Sequence, residues 1–215
     1  MLRLWQFERQ LMSDPLSKAI RTAAKGSGWS AKRDVLSRPM GEYVLAVHPR
    51  RGSIGRIEFR AKPAAWNHML WSILQIERNE TQPPSFHFTG AFTCDSPALL
   101  THDLEPIASH ERIARDMVQL SKRAMHMPDV WQDYDLVRAI LDERPQEPYR
   151  YHVTRVVERI CCGDRQTARE ICNAALGKEL DLRASFSSTD KLTPPDTNGR
   201  RPSLSFFQLA LLWLR

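Results

Sequence analysis

The stretch EYVLAVHPRRGSIGRIEFRAKP, residues 42–63, decides the fold. It contains two runs rich in β-branched and aromatic residues. In an extended chain, Tyr43, Leu45 and Val47 of the first run would share one face, and the second run alternates apolar with charged residues. Pro49-Arg50-Arg51-Gly52 separates the runs and has the composition of a turn, because proline fixes φ and glycine permits positive φ. Two strands with one apolar face each are not stable alone. The stretch therefore predicts a sheet covered by helices, an α+β fold.

Residues on both sides of this stretch predict the other elements of the sheet domain. A helix starts at Ser13-Asp14-Pro15, where a capping side chain precedes proline, and ends at Gly26-Ser-Gly28. The other predicted elements are a strand over Trp29–Arg38, a turn over Pro39–Gly41, a helix from Pro63 to Glu77, a strand over Ser85–Thr93 and a loop over Asp95–Pro106.

The C-terminal half is predicted to be helical. Ser109 and Asp129 are expected to open two helices, and Gly163-Asp164 is expected to turn a helical hairpin of Tyr151–Cys161 and Arg165–Leu176. A short amphipathic helix is predicted within Ser203–Arg215, after an exposed polar segment. Together, the patterns predict a small, mostly antiparallel sheet of three to four strands, flanked by helices. The predicted divisions are an extension (1–12), the sheet domain (13–106), a helical subdomain (107–183) and a loop with the C-terminal helix (184–215).

Charge is distributed unevenly along the 215 residues. Residues 1–75 contain 13 Lys and Arg against 5 Asp and Glu, whereas residues 76–150 contain 8 against 13. The formal net charge is +6, and 42% of residues are hydrophobic, which is enough for a substantial core. A basic N-terminal third is suited to an acidic partner or to nucleic acid, although a mixed-charge surface with a basic excess is the commoner origin of such a count.

The cysteine pattern indicates a reducing compartment. Cys94, Cys161, Cys162 and Cys172 include no CxxC pair and no spacing typical of a zinc site. Adjacent cysteines rarely reach disulfide geometry, so we expect reduced, buried thiols in a cytoplasmic protein. The N-terminus has charges where a signal peptide would be apolar, and no run approaches membrane-spanning length. We therefore expect no membrane association.

One arrangement suggests metal-dependent chemistry. The element order resembles the core of restriction-endonuclease-like nucleases, in which an Asp and a Glu-x-Lys on neighbouring strands hold a divalent metal. Asp34 precedes Glu58-Phe59-Arg60 here, and Lys62 follows. Arginine stands where the motif has lysine, and its pKa, above about 12, prevents it from shuttling protons. The alternative is that Glu58 simply pairs with a neighbouring arginine.

A second arrangement suggests binding. Arg50, Arg51, Arg56 and Arg60 follow the two strands of the opening stretch and form a basic strip suited to phosphates. Charged hairpin tips are also common for solubility and edge protection. The seven histidines include no His-x-x-x-His pair, and no glycine-rich phosphate loop opens a helix. These patterns predict no metal and no cofactor.

A family resemblance rests on Leu16–Trp29, Lys32–Arg38, Glu42–Arg60 and the later segment from Arg159 to Glu170. These segments resemble certain small bacterial domains of unknown function that occur in toxin-immunity neighbourhoods. The resemblance covers the sheet and one helical hairpin, and it implies no catalytic residue. Immunity proteins that neutralise basic nucleases tend to be acidic, so the basic N-terminal third departs from their pattern and indicates a different partner.

The leading hypothesis is a non-catalytic bacterial protein that binds another macromolecule, most simply a protein. The alternative is a nucleic-acid-binding protein, or a degenerate metal nuclease that uses Asp34, Glu58 and Arg60. Homo-oligomerisation stays open in both.

Overall fold

The fold is α+β and is taken from a computed structural model that describes residues 15–50, 55–105, 108–142, 149–177, 187–189 and 203–215. Several predicted features lie outside these residues: the extension at 1–12, the cap at Ser13-Asp14, Arg51-Gly52 of the predicted turn, and most of the polar segment at 184–203. The α+β prediction is confirmed for the described part of the chain.

Five antiparallel strands form the main sheet and follow one another in chain order. They are β1 (Ser30–Lys32), β2 (Val35–Met40), β3 (Tyr43–Pro49), β4 (Arg56–Pro63) and β5 (Ala98–Asp103). The stretch of residues 42–63 supplies β3 and β4, at the centre of the sheet. The sheet thus has more strands than the three to four predicted.

Alternation along the central strands gives the sheet two different faces. Leu45, Val47, Ile57 and Phe59 lie in one hydrophobic cluster, and none of the four is exposed to solvent. The intervening positions on β4 carry charged side chains. One face therefore belongs to the core, and the other carries the polar residues considered below.

The strand predicted over Trp29–Arg38 is wrong, because this segment is a hairpin followed by the rest of β2. Lys32 pairs with Val35, which leaves Arg33 and Asp34 as a two-residue turn. Arg33 has φ of 55°, a conformation that favours glycine or asparagine. Without either residue, the turn has no sequence signal. The turn predicted over Pro39–Gly41 begins later in the chain, because β2 continues through Met40.

The strand predicted over Ser85–Thr93 and the loop predicted over Asp95–Pro106 are also wrong. The first contains a short helix, Phe86–Thr89, in which the Thr89 hydroxyl donates to the Ser85 carbonyl over 3.0 Å. The second contains β5, which pairs with β4 with a register shift between Phe59 and Arg60. The alternation of side chains along the sequence therefore did not show which of these two segments forms a strand.

The helices are most numerous after the sheet stretch. They are α1 (Pro15–Ala23), α2 (Ala64–Ile73), α3 (Phe86–Thr89), α4 (His110–Met125), α5 (Pro128–Trp131), α6 (Tyr134–Asp142), α7 (Tyr149–Cys161), α8 (Arg165–Leu176) and α9 (Phe206–Trp213), with a 3-10 turn at Glu77–Thr81. Ser109 caps α4 as predicted, but Met127 rather than Asp129 precedes α5. The helix predicted to reach Glu77 ends at Ile73.

The described residues form two compact units. The first unit consists of the described residues in Met1–Lys62, Pro83–Thr89 and Pro97–Tyr134. It therefore contains the main sheet together with α1, α3, α4 and α5. The second unit consists of those in Pro63–Gln82, Gly90–Ser96 and Asp135–Arg215. The helix α4 thus belongs to the unit that contains the sheet, and α2 belongs to the unit that contains the C-terminal helices.

The second unit contains the predicted helical hairpin of α7 and α8. Gly163 has φ of 83°, and the Asp164 side chain accepts a hydrogen bond from the Thr167 amide at 3.1 Å. This hydrogen bond lowers the pKa of Asp164, as expected for a carboxylate that caps a helix. The residues that α8 packs inward recur at helical spacing and are buried: Ala168, Ile171, Cys172 and Ala175. A small second sheet pairs Ser187–Thr189 with Ser203–Ser205. Its first strand lies in the segment predicted to be an exposed loop, and its second strand occupies the start of the predicted C-terminal helix, which begins at Phe206 instead.

We expect Gly163→Ala to lower the free energy of unfolding by about 1 kcal/mol, because an L side chain is strained at positive φ. No atom lies within 4 Å of the added Cβ, so the effect is one of backbone conformation. Gly177→Ala is the matched control, since Gly177 has φ of −70° and alanine fits there. Urea denaturation of both variants measures the difference; equal effects would contradict the assignment.

Candidate functional site

A row of polar side chains lies on the face of β4 that points away from the hydrophobic cluster. Glu58, Arg60 and Lys62 occupy alternate positions of this strand, so they share one face. Glu58 is only 5% exposed and Lys62 is 1% exposed. Buried charges require partners, and the partners of these residues determine what the row can do.

Glu58 is held by arginines. Arg60 donates to Glu58 Oε2 from Nη2 at 2.6 Å and from Nε at 3.1 Å. The Nε atom of Arg50 lies 3.9 Å from the other carboxylate oxygen. Lys62 instead donates from Nζ to the His87 carbonyl at 2.7 Å and lies over the Phe88 ring. Each member of the row therefore has a partner, and Glu58 pairs with a neighbouring arginine, as in the alternative interpretation of this residue.

His48, on β3, lies beside this row. Burial lowers the pKa of His48, and the positive charge of Arg60 lowers it further. The carboxylates of Glu58 and Asp34 act in the opposite direction. Because the lowering effects dominate, His48 is neutral at pH 7.

The candidate nuclease residues come from different elements. Asp34 lies in the turn between β1 and β2 rather than in a strand, and Glu58 lies in β4. Within the described residues, no three His, Cys, Asp or Glu side chains are grouped so that they could hold a metal ion. Glu58 also shares its carboxylate with Arg60, which stands where the nuclease motif requires lysine.

The predicted basic strip is not a uniform patch of free cations. Arg56 donates to Asp103 at 2.7 Å, and Arg60 is bound to Glu58. The Arg50 side chain is 57% exposed, and Arg51 lies outside the described residues. Neighbouring carboxylates therefore offset most of the described positive charge on this hairpin.

A groove between α1 and α4 is a surface that the sequence analysis did not identify. It encloses about 690 Å³ and is lined by Lys18, Thr22, Glu111 and Arg115, with apolar atoms of Pro15, Ala19 and Ala23. We refer to it as the α1–α4 groove. Lys18 and Arg115 are exposed, and neither forms a salt bridge with another described residue. Two cations and one carboxylate line it, so its net charge is positive.

Glu111 gives the α1–α4 groove a mixed electrostatic character. Hydrogen bonds from its own backbone amide and from Ser109 lower its pKa, so the carboxylate is ionised at neutral pH. Its location in the first turn of α4 is also favourable for a negative charge. The sequence signal for this groove was the helical spacing of charged residues in α1 and in α4. Only the packing of the two helices shows that these residues line one groove.

The cysteines follow the prediction in part. All four are free, but Cys161 and Cys162 are exposed, whereas Cys94 and Cys172 are buried. Burial raises the pKa of Cys172 to about 12 and that of Cys161 to about 11. Cys161 is thus a poor nucleophile at neutral pH despite its exposure.

Comparison with family models, curated proteins and solved structures finds no match to this chain. In the described segments, every helix is too short or too polar to cross a membrane. The geometry of the chain's own residues is therefore the basis for a functional proposal.

Proposed function

We propose that the chain is a non-catalytic cytoplasmic binding protein and that its partner is a protein with an acidic surface. The observation that supports this most directly is the α1–α4 groove, which combines exposed cations with apolar lining. The positive charge favours an acidic partner through long-range attraction. The apolar atoms allow a side chain of the partner to be buried, which is how a few contacts supply most of an interface's affinity.

A protein fits the groove better than nucleic acid because of Glu111. Its ionised carboxylate lies among the cations. Glu111 forms no salt bridge with another described residue, so its charge would repel a phosphate backbone, whereas a basic side chain of a mixed-charge protein surface can pair with it. Four free cysteines are consistent with the proposed cytoplasmic location.

We expect Lys18→Glu combined with Arg115→Glu to abolish partner capture without unfolding the protein, because both side chains are exposed. A photo-crosslinking amino acid at Thr22, inside the groove, would be used to capture the partner in cells. Lys32→Glu with Arg33→Glu is the matched control, since it makes the same charge change on the β1–β2 hairpin. Equal capture in the two double variants would contradict the proposal. So would capture from a photo-crosslinking amino acid at position 22 that is no stronger than capture from one placed at position 32.

Nucleic-acid binding is the second candidate, supported by the exposed Arg50 on the hairpin. Fluorescence titration with single- and double-stranded DNA at two salt concentrations, with and without magnesium, tests it. Tight binding that weakens steeply with salt would favour nucleic acid as the partner. Magnesium-dependent cleavage that Asp34→Asn and Glu58→Gln abolish would favour the nuclease. Absence of binding at low salt excludes both.

A further inference from the structure

A second cavity lies between β5 and α4, separate from the sheet row and from the α1–α4 groove. It encloses about 420 Å³ and is lined by His102 of β5 and, from α4, by Asp116, Gln119, Leu120, Lys122 and Arg123. Asp116, Gln119 and Arg123 are three, four and seven residues apart, which places them along one side of the helix. Polar groups from two elements therefore converge on one concavity.

The carboxylate in this cavity already has one arginine and one histidine as neighbours. Arg112 Nε donates to Asp116 Oδ2 at 3.0 Å, and His102 Nε2 lies 3.7 Å from the same oxygen. Lys122 and Arg123 are exposed and form no salt bridge with another described residue. After the Arg112–Asp116 pair is accounted for, the charge left in the cavity is positive.

The position on the helix determines which groups can bind an anion here. Lys122 and Arg123 lie in the last turn of α4, where the helix dipole is negative and the free backbone groups are carbonyls. The backbone therefore offers an anion no donors, and the dipole opposes its binding. The side chains of Lys122, Arg123 and Gln119 must supply the attraction, so any anion affinity depends on them.

We propose that this cavity binds the phosphate group of a small phosphate monoester. The guanidinium of Arg123 can make two parallel hydrogen bonds to phosphate, and Lys122 adds a compact positive charge. A cavity of about 420 Å³ falls within the range of small-molecule sites, so it has room for an organic group as well as the phosphate. Buried Leu120 provides an apolar wall for that group. The site is independent of the protein partner proposed for the α1–α4 groove.

The test is an NMR titration of the full chain with phenyl phosphate, and with inorganic phosphate in parallel. We expect saturable shifts of the amides of His102 and of residues 119–123, with affinity in the millimolar range and tighter for phenyl phosphate. Lys122→Ala with Arg123→Ala should weaken binding by about tenfold or more. Lys32→Ala with Arg33→Ala removes the same charge from an exposed hairpin and should leave the affinity unchanged.

Three results would overturn the proposal. The first is the absence of saturable shifts in these amides. The second is equal weakening in both double variants, which would mean that general surface charge attracts the anion. The third is equal affinity for inorganic phosphate and phenyl phosphate, which would mean that the cavity makes no use of the organic group.

Discussion

Trp71→Ala is expected to lower the free energy of unfolding by about 3–5 kcal/mol, the usual cost of truncating a buried tryptophan. The Trp71 side chain is fully buried, and its Nε1 donates to the Phe92 carbonyl at 2.7 Å. Truncation therefore removes packing from α2 and also takes away the donor to that carbonyl. Circular dichroism during urea denaturation measures the loss without depending on tryptophan fluorescence.

Trp71→Phe separates the two contributions, since phenylalanine keeps an aromatic ring but has no donor. We expect a smaller loss of about 1–3 kcal/mol, the cost of removing a buried hydrogen-bond partner. Hydrogen exchange at the Cys94 amide reports on the same segment, because this amide donates to Asn67 Oδ1 at 2.8 Å. Trp213, which is 39% exposed, is the control. Trp71→Ala effects no larger than those of Trp213→Ala would contradict a structural role for Trp71.

These contacts explain one failure of the sequence analysis. Ser85–Thr93 alternates in the manner of a strand, yet side chains of α2 hold the residues that follow α3. Phe92 has φ of 55°, a conformation that its sequence does not predict. Tertiary hydrogen bonds thus override local preference, and a single sequence gives no indication of them.

The successful predictions rest on signals with a local physical cause. Gly163-Asp164 has both a residue suited to positive φ and a capping side chain, and the helical hairpin is confirmed. The helix predicted to open at Ser109 is also present, and its apolar residues at helical spacing are all buried: Ile113, Met117, Leu120 and Ala124. Arg33-Asp34 has no such signal, so the β1–β2 hairpin was missed. The α1–α4 groove was missed because it exists only once two helices pack together.

The second large effect is expected at Glu58. Glu58→Ala should lower the free energy of unfolding by about 3 kcal/mol, because it leaves the largely buried Arg60 without the carboxylate bound at 2.6 Å. Replacing both residues, Glu58→Met with Arg60→Met, should recover much of the loss, since an apolar pair of similar size leaves no uncompensated charge. A double-mutant cycle by urea denaturation gives the coupling energy between the two side chains.

Arg56 and Asp103 provide the control, because Arg56 lies on the same strand as Glu58 and forms a 2.7 Å ion pair with Asp103 of β5 in an exposed setting. We expect their coupling to be below about 1 kcal/mol and to decrease in high salt, whereas the coupling of Glu58 with Arg60 should be larger and less sensitive to salt. Equal couplings would contradict a structural role for the buried pair. A Glu58→Gln variant that retains its stability but loses magnesium-dependent cleavage would instead favour the nuclease hypothesis. Measured together, stability and cleavage thus distinguish a carboxylate that holds the sheet row together from one that binds metal.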